Sequence, residues 1–488
     1  MQKTFLRFLY FNFLFFCSNS YCIKIPSYYK DNTYYTVNFE QEEKPLVVVV
    51  CTYNNAQWFD RNLQSIFDQK YSNYRVIIVD DCSSDGTGDL IEKYIKEHNQ
   101  ENRCTLIKNT QRKHKMANLY RAIHTCENYE IIVEFDGDDW FLDNRVFSYI
   151  NELYSSSDTW LTYGGYQEYP SGKPGFCRQI PTEVIDANSF RSYYRTTSQQ
   201  RTFYAALFKH LPLEDLFFEG KFFKITSDVA QMMPMFELAG HKIAYNYRKL
   251  YVYNLANAIN DHKVDSRHQT RANDYVLGRR KLNPIESLTP IPEEKIQNSS
   301  VDVVIVLENP SSLSQHLLNL NHLSNYSTVN VIANNASVKE QFEASFTHKN
   351  VIFSRAQSDI LPELINVVSN LKNEYIFFMN DSSVLDLSIN LREYVSAIEK
   401  TGAFAWYCKK GVSNINDYCN IENDIFALQF GQKNAKGHNA FSCNMSLYRK
   451  KDILSCLKSL TLTQPNFENC LNQRTVNLNT VALFTPMN

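Results

Sequence analysis

The chain has 488 residues, of which 44% are hydrophobic and 21% charged, so its composition is that of a globular protein with two or three domains. The formal net charge of −2 argues against a general nucleic-acid-binding protein, which would carry a basic face. The longest basic run, residues 111–115, is expected to be a solvated loop. The absence of any Cys-x-x-Cys pair among the 12 cysteines argues against a cysteine zinc site.

The chain begins with an apolar segment, residues 5–16, which is preceded by Lys3 and followed by small polar residues. A segment this short does not reach the roughly 20 residues of a membrane span, but it suits the core of a signal peptide. We therefore expect residues 1–20 to be a signal peptide that directs the protein to the secretory-pathway lumen or out of the cell. The alternatives are a membrane anchor, which would tether the protein, and a buried helix or strand.

Apolar runs alternate with amphipathic segments between residues 46 and 135. Strands are predicted at residues 46–51, 75–80, 105–108 and 131–135, and helices at residues 57–69, 88–99 and 115–125. Strands that alternate with helices of about 10–15 residues predict an α/β domain, in which helices flank a mostly parallel sheet.

Beyond residue 171 the pattern is less regular, and we expect long active-site loops up to about residue 202. Three further elements are predicted here: a helix at residues 227–239, a strand at 245–253 and a polar tail at 254–271. Ser227 and Asp228 would form a good N-cap pair for that helix.

The second half of the chain repeats the pattern of the first. Residues 276–299 contain three prolines and several charges and are predicted to be a linker between a domain at 44–275 and one at 300–488. Apolar runs at residues 301–309, 329–334 and 374–382 then follow in the order of the first three long strands. We predict a second, tandem copy of the same fold. Ala333 and Asn380 stand where the first half has acidic residues, so this copy is expected to be inert.

Two strands of the first half end in acidic clusters. Asp80 and Asp81 follow the second strand, and Asp136 and Asp138 follow the strand at residues 131–135. Because the carboxyl ends of parallel strands line the ligand crevice, these side chains are expected at one edge of the sheet. Asp136 and Asp138 are two residues apart and would point to the same side of the chain, with Gly137 leaving room for a ligand. Such oxygen donors suit Mg²⁺ or Mn²⁺ together with substrate phosphates. An acidic turn on the surface is the alternative.

Three motifs carry a family resemblance. They are VVVCTYNN at residues 48–55, VDDCSSDGT at residues 79–87 and FDGDD at residues 135–139. Together they resemble the signatures of family 2 glycosyltransferases over about residues 44–270. The resemblance implies the GT-A fold, a nucleotide-sugar donor (often a UDP-sugar) and a divalent metal.

The resemblance also implies roles for individual residues at the nucleoside. Thr52, Tyr53 and Asn54 would border the base and ribose, and Asp80 or Asp81 would accept a hydrogen bond from a uracil ring. Asn118 would lie on a helix beside the nucleotide, although the glycine that usually precedes it is replaced by a basic segment.

Further roles concern the sugar-transfer step. Asp136 would reach the ribose, and Asp138 would ligate the metal that bridges the diphosphate. His262 is a candidate third metal ligand, with a solvated histidine as the alternative. An inverting transferase also needs a general base to deprotonate the acceptor hydroxyl, and Asp228 resembles the base of this family. Alternatively, Asp228 only caps its helix.

The sequence therefore predicts an inverting, metal-dependent glycosyltransferase that acts on a glycan, lipid or protein acceptor. A sugar-phosphate nucleotidyltransferase is one alternative, although the turn at residues 52–55 lacks the Gly-rich basic loop that such an enzyme needs. A non-catalytic carbohydrate-binding protein is another, against which the combined acidic residues of the first half argue.

Overall fold

The computed structural model describes residues 42–193, 199–259, 266–289, 299–307 and 310–333, and parts of the chain between 338 and 487, most continuously 360–380 and 446–458. The predicted signal peptide at residues 1–20 and His262 lie outside the described residues. Among the described residues, no helix combines the length and the apolar character that crossing a bilayer requires.

The first half of the chain forms one sheet of eight strands. They are β1 (Leu46–Thr52), β2 (Tyr74–Asp80), β3 (Cys104–Lys108), β4 (Ile131–Asp136), β5 (Trp140–Phe141), β6 (Leu161–Tyr169), β7 (Arg201–Tyr204) and β10 (Ile243–Asn254). A separate small hairpin is made by β8 (Phe217–Phe218) and β9 (Lys221–Phe222).

The strand order in this first sheet is β3-β2-β1-β4-β7-β6-β10-β5. Strands β3, β2, β1 and β4 are mutually parallel, β7 is antiparallel to both of its neighbours, and β6 is parallel to β10. Leu46 to Val50 of β1 are each at most 1% exposed, as expected for a central strand that is covered on both faces. The predicted α/β class with a mostly parallel sheet is confirmed.

The helices of the first half agree with prediction to within about two residues where helices were expected. They are α1 (Phe59–Phe67), α2 (Thr87–Glu97), α3 (Lys115–His124), α4 (Val146–Ser156), α5 (Thr182–Asp186), α6 (Ala205–Lys209), α7 (Ser227–Ala239) and α8 (Ser266–Leu277). The prediction of a polar tail at residues 254–271 was wrong from Ser266 onward, because α8 begins there and buries Ala272 and Val276.

The carboxyl ends of β1, β2 and β4 lie at the same level. Thr52 pairs with Asp80, and Cys51 pairs with Asp136, so the segments that follow these strands leave the sheet together. A Cβ atom on Gly137 would lie 2.5 Å from the side chain of Thr52. Only glycine therefore allows the segment after β4 to pass this close to the end of β1.

Part of the predicted linker is packed against the first half. The backbone N–H of Ile285 donates to the carbonyl of Leu238 over 3.0 Å, and that of Leu282 donates to the carboxylate of Glu237 over 3.0 Å. Leu282 and Ile285 also pack on the hydrophobic core. Residues 282–285 therefore belong to the first unit, whereas residues 290–298 lie outside the described part of the chain.

The second half forms a sheet of nine strands. They are β11 (Val301–Leu307), β13 (Tyr326–Ala333), β14 (Val351–Arg355), β15 (Tyr375–Asn380), β17 (Ala405–Lys410), β18 (Cys419–Glu422), β19 (Ile425–Gln429), β20 (Ser446–Arg449) and β21 (Val481–Met487). Beside it lie the strand pair β12 (Leu323–Ser324) and β16 (Ile389–Asn390), and the helices α9 (Leu313–Asn321), α10 (Ile360–Asn370), α11 (Leu391–Thr401) and α12 (Lys450–Lys458).

The strand order of this second sheet is β14-β13-β11-β15-β20-β17-β21-β19-β18. Its first seven positions repeat the first seven of the first sheet, both in the order in which the chain visits them and in the parallel or antiparallel sense of each pair. A tandem copy of the fold would have this arrangement. The second copy stays a prediction.

Candidate active site

A cavity of about 220 Å³ opens at the edge where β1, β2 and β4 end. Seven of the residues singled out from the sequence line it: Thr52, Tyr53, Asp81, Asn118, Asp136, Asp138 and Asp228. The residues come from three strand ends and from the starts of two helices, α3 and α7. The parallel strand order thus brings together side chains that are up to 176 residues apart in sequence.

Asp80 and Asn54 shape the neighbouring loop and do not line the cavity. The carboxylate of Asp80 accepts a hydrogen bond from the hydroxyl of Ser83 and lies where Gly88 leaves space for it. Asn54 has a φ of 51°, and its side-chain oxygen accepts a 2.9 Å hydrogen bond from the backbone of Ser84. Of the two predicted candidates for base recognition, the structure therefore places Asp81 in the cavity.

Asp81 is held by the segment that precedes α3. Its carboxylate accepts hydrogen bonds of 2.8 Å from the backbone N–H groups of both Lys113 and His114, and one of 2.9 Å from the Asn109 amide. Burial alone would raise the pKa of Asp81, but these hydrogen bonds outweigh it and lower the pKa. Asp81 therefore remains a carboxylate at neutral pH and can accept a hydrogen bond from a ligand.

The basic run at residues 111–115 is part of the cavity wall, so the prediction of a solvated loop was wrong. Arg112, His114 and Lys115 all line the cavity. The Arg112 guanidinium lies 3.7 Å from the centre of the Tyr53 ring, and 4.0 Å from the Asp81 carboxylate. Contact with a tyrosine face and a nearby carboxylate keeps this long side chain on the cavity wall.

Asp136 belongs to a buried ionic network and also borders the cavity. Its carboxylate pairs with the ammonium of Lys115 and, over 3.1 Å, with the guanidinium of Arg201. Both cations also contact Glu134, over 2.9 and 3.0 Å. Burial would raise the pKa of Asp136, but the two cations outweigh it and hold that pKa well below the usual range. The two negative and two positive charges balance each other.

Asp138 has a different environment. Its carboxylate accepts a 2.7 Å hydrogen bond from the amide of Asn257, and no ion pair to it is present in the part of the chain that the structure describes. Burial, together with the charge of Asp136, raises the pKa of Asp138 to about 6. A partly buried carboxylate with no ion-pair partner among the described residues is suited to bind a cation, which would relieve the cost of its charge.

The acidic residue next to Asp138 is structural. Asp139 is fully buried, and its carboxylate accepts hydrogen bonds of 2.5 Å from the Tyr251 hydroxyl and 2.7 Å from the backbone of Asn254. The amide of Asn254 in turn donates to the carbonyl of Asp138 over 3.2 Å. Strand β10 thereby fixes the loop that presents Asp138 to the cavity.

The donor set offers one carboxylate without an ion-pair partner among the described residues, and the joint ligand role of Asp136 and Asp138 stays a prediction. Asp136 and Asp138 were expected to converge on one ion, but Asp136 is engaged by Lys115 and Arg201. Within the described residues, no three His, Cys, Asp or Glu side chains could together hold a metal ion. Asp138 would therefore hold a divalent cation together with substrate phosphates, as is common for Mg²⁺. The predicted ligand role of His262 falls outside the described residues.

Asp228 lies in the first turn of α7 and lines the same cavity. The helix begins at Ser227 after Thr226, which adopts a left-handed conformation with a φ of 65° and makes no side-chain cap. The predicted N-cap pair of Ser227 and Asp228 was thus wrong by one residue, because both are already helical. The carboxylate of Asp228 is half-buried and borders the cavity. A role as the cap of α7 therefore does not explain why Asp228 lies at the cavity.

Several residues of this site were missed by sequence reasoning. Arg201 reaches the cavity because β7 pairs antiparallel with β4, which places it directly opposite Glu134. No local pattern around Arg201 signals this pairing. Asn257, which holds Asp138, lies in a loop that was expected to be a polar tail. Thr226 offers a buried hydroxyl without a hydrogen-bond partner among the described residues, which suits a polar ligand.

Part of the chain is similar in sequence to known proteins. Residues 47–199 match the sequence model of "Glycosyl transferase family 2". The dTDP-rhamnosyl transferase RfbG of Shigella flexneri is 28% identical over 130 residues, which are 25% of this chain and 43% of that protein. The glycosyltransferase GlyG of Streptococcus pneumoniae serotype 4 is 25% identical over 129 residues, which are 26% of this chain and 41% of that protein. The chain thus spans less than half the length of these two relatives.

Solved structures are also similar. TarS 1–349 of S. aureus in complex with UDP-GlcNAc is 18% identical, with a TM-score of 0.36 over 45% of this chain and 60% of that chain. The sequence match covers the ends of β1, β2 and β4 and the segment before α3, but not the part of the cavity wall beyond residue 199. Over residues 47–199, the chain is similar to glycosyl transferase family 2.

Proposed function

We propose that the protein transfers a sugar from a nucleotide-sugar donor to a hydroxyl group of a glycan, lipid or protein acceptor, with inversion at the anomeric carbon. The observation that carries this proposal is that one cavity contains Asp81, Asp138 and Asp228, three carboxylates in three different environments. A protein that only bound carbohydrate would not need a carboxylate without a cationic partner beside an ionic network.

The nucleoside end of the donor would lie against Tyr53 and Asp81. A carboxylate that stays ionised can accept a hydrogen bond from an imide N–H, such as that of uracil, which supports a UDP-sugar as donor. The ring of Tyr53 and the guanidinium of Arg112 offer planar groups against which a base can stack.

The diphosphate would lie near Asp138, where Mn²⁺ or Mg²⁺ would be held. The bound metal would supply positive charge that offsets the charge developing on the departing nucleoside diphosphate. Asp228 would accept the proton of the acceptor hydroxyl as its oxygen attacks the anomeric carbon. Asp228 and Asp138 line the same cavity, which supports a base and a metal acting on one bound donor–acceptor pair.

The reaction class is tested by incubating the purified protein with Mn²⁺ and a panel of nucleotide sugars. We expect release of a nucleoside diphosphate from a UDP-sugar. Asp138→Asn should abolish both this release and Mn²⁺ binding measured by calorimetry. Asp143→Asn is the matched control, since this exposed aspartate lies in the same segment but only accepts a hydrogen bond from the backbone of Arg145.

The alternatives give different products. Release of pyrophosphate would indicate a sugar-phosphate nucleotidyltransferase instead. An absence of product with every donor, together with binding of sugars alone, would indicate a carbohydrate-binding protein. Full activity of Asp138→Asn would contradict the assigned metal site. Export through residues 1–20 remains a separate proposal, which N-terminal sequencing of the mature protein from its native source would test.

A further inference from the structure

Lys115 lies between the two acidic parts of the cavity. It follows His114, whose backbone N–H donates to Asp81 at the place proposed for the nucleobase. Its ammonium pairs with Asp136, two residues before the proposed metal ligand Asp138. A diphosphate connects the nucleoside to the sugar, so its charge is expected between Asp81 and Asp138.

Lys115 and Arg201 differ in what they can reach. The Arg201 side chain is 2% exposed and is enclosed by Glu134 and Asp136. The Lys115 side chain is 23% exposed and borders the open cavity. An ammonium group on a four-carbon chain can also turn its three N–H donors toward a new partner, which a buried guanidinium cannot do without leaving its carboxylates.

We propose that Lys115 binds the diphosphate of the donor directly, exchanging one oxygen of Asp136 for a phosphate oxygen. The inference rests on the proposed function and extends it, because it assigns part of the diphosphate binding to a protein cation rather than to a metal alone. Arg201 stays with Asp136 when Lys115 turns away, so the aspartate does not become an isolated buried charge.

The electrostatics of the network support this exchange. Burial would lower the pKa of Lys115, but the charges of Asp136 and Glu134 outweigh it and raise the pKa, so Lys115 is positively charged at neutral pH. Lys115 is also the first residue of α3, and the partial positive charge at the start of a ten-residue helix favours an anion at the same place. Phosphate oxygens are strong acceptors for charged N–H donors.

The experiment measures UDP and UMP binding by calorimetry, once in EDTA and once with Mn²⁺. The proteins are the wild type, Lys115→Met, Lys115→Arg and Lys108→Met. Lys108 is the matched control for the lost charge, because its ammonium pairs with Asp89 over 2.7 Å on the outer surface of the same unit. UMP binding reports whether Lys115→Met keeps a folded nucleoside site.

In EDTA, we expect the wild type to bind UDP and Lys115→Met to bind it at least tenfold more weakly. UMP affinity should change less than threefold, Lys115→Arg should restore most of the UDP affinity, and Lys108→Met should match the wild type. The inference is overturned if EDTA abolishes wild-type UDP binding, if Lys115→Met binds UDP as the wild type does, or if it loses UMP and UDP affinity equally.

The same measurements separate this inference from the proposed function. The role of Lys115 is overturned, but the UDP-sugar donor is not, in two cases. In the first, UDP binds with Mn²⁺ but not in EDTA; in the second, Lys115→Met leaves UDP binding unchanged. A wild type that binds no UDP under either condition overturns the uridine donor and the role of Lys115 together.

Discussion

The two sheets share a strand order but differ at the edge where their central strands end. In the first sheet, Glu134 of β4 pairs with Arg201 of β7 across the strands, and Asp136 ends β4. The aligned positions of the second sheet are Phe378, which pairs with Ser446, and Asn380. Three ionised side chains in one sheet thus correspond to an aromatic, a hydroxyl and an amide in the other.

This difference separates what the fold needs from what the site needs. Ionised groups are costly to bury and are not required to hold strands together, because packed apolar residues of similar volume serve as well or better. The second sheet pairs its strands without them. The charges of the first sheet are therefore best explained by the cavity beside them, and the comparison yields four expected outcomes.

The largest effect is expected at Asp228, the proposed general base. If the chemistry belongs to the first sheet alone, Asp228→Asn should lower the turnover of the active donor roughly 100- to 10,000-fold, because the acceptor hydroxyl loses its proton acceptor. UDP affinity should change less than about threefold, because a general base acts in the transfer step and not in binding. Asp452→Asn, in α12 of the second half, is the control and should leave turnover unchanged. A comparable loss in the control variant would show that the second half takes part in catalysis.

The next largest effect concerns the ionic network. Arg201→Leu should lower the free energy of unfolding by about 3–5 kcal/mol, because Glu134 and Asp136 would share a single cation. Ser446→Ala at the aligned position should cost only about 1 kcal/mol, the value of one hydrogen bond. Urea unfolding followed by tryptophan fluorescence measures both changes.

A double variant sharpens this prediction. Glu134→Leu combined with Arg201→Leu removes one charge of each sign, so it should be more stable than Arg201→Leu alone. If the double variant is the less stable of the two, the network does not act as balanced charges.

A smaller effect is expected at Gly137. A Cβ there would lie 2.5 Å from Thr52, so Gly137→Ala must displace the end of β1 or the loop after β4. We expect a loss of about 1–3 kcal/mol, as for other overpacked sites, measured by urea unfolding. Gly165→Ala is the matched control, since its nearest neighbour would lie at an ordinary 3.5 Å. Equal stability of the two variants would contradict the close approach.

The smallest effect tests whether the second half lies against the first. Burial, together with the nearby charges of Lys209 and Lys400, lowers the pKa of His124 in α3 to about 4. Lys400 belongs to α11. A folded-state pKa below the ordinary value of 6.5 gives stability that is present above pH 6.5 and is lost as the pH falls toward 4.

At pH 6 the contribution of His124 should therefore be roughly 1 kcal/mol smaller than at pH 8. His124→Gln should remove this part of the pH dependence of urea unfolding. Lys400→Gln should raise the pKa of His124, which NMR titration of the imidazole measures, and an unchanged pKa would place Lys400 away from α3.

The sequence predicted those parts of the site that depend on strand order. Asp81 and Asp138 follow apolar runs, and parallel pairing brings the ends of such runs to one edge, so their proximity could be inferred before the structure. Arg201 could not be predicted, because its position depends on an antiparallel pairing between strands separated by long loops.

Lys115 was misread for a different reason. A short basic run has the composition of a solvated loop, and only the partners of Asp81 and Asp136 reveal that this one is folded onto the site. The surroundings of Asp136 could not be predicted either, because the alternate spacing of Asp136 and Asp138 gave no sign that the first forms ion pairs with two cations.

The hydrogen bonds that hold Asp81 also limit how this protein can evolve. Asp81 anchors the backbone of Lys113 and His114, and the same short segment carries Arg112 and Lys115. Replacing Asp81 to favour another nucleobase would loosen two basic side chains at the same time. A change of donor is therefore expected to arise through mutations around Tyr53 that retain Asp81, rather than by exchanging the aspartate.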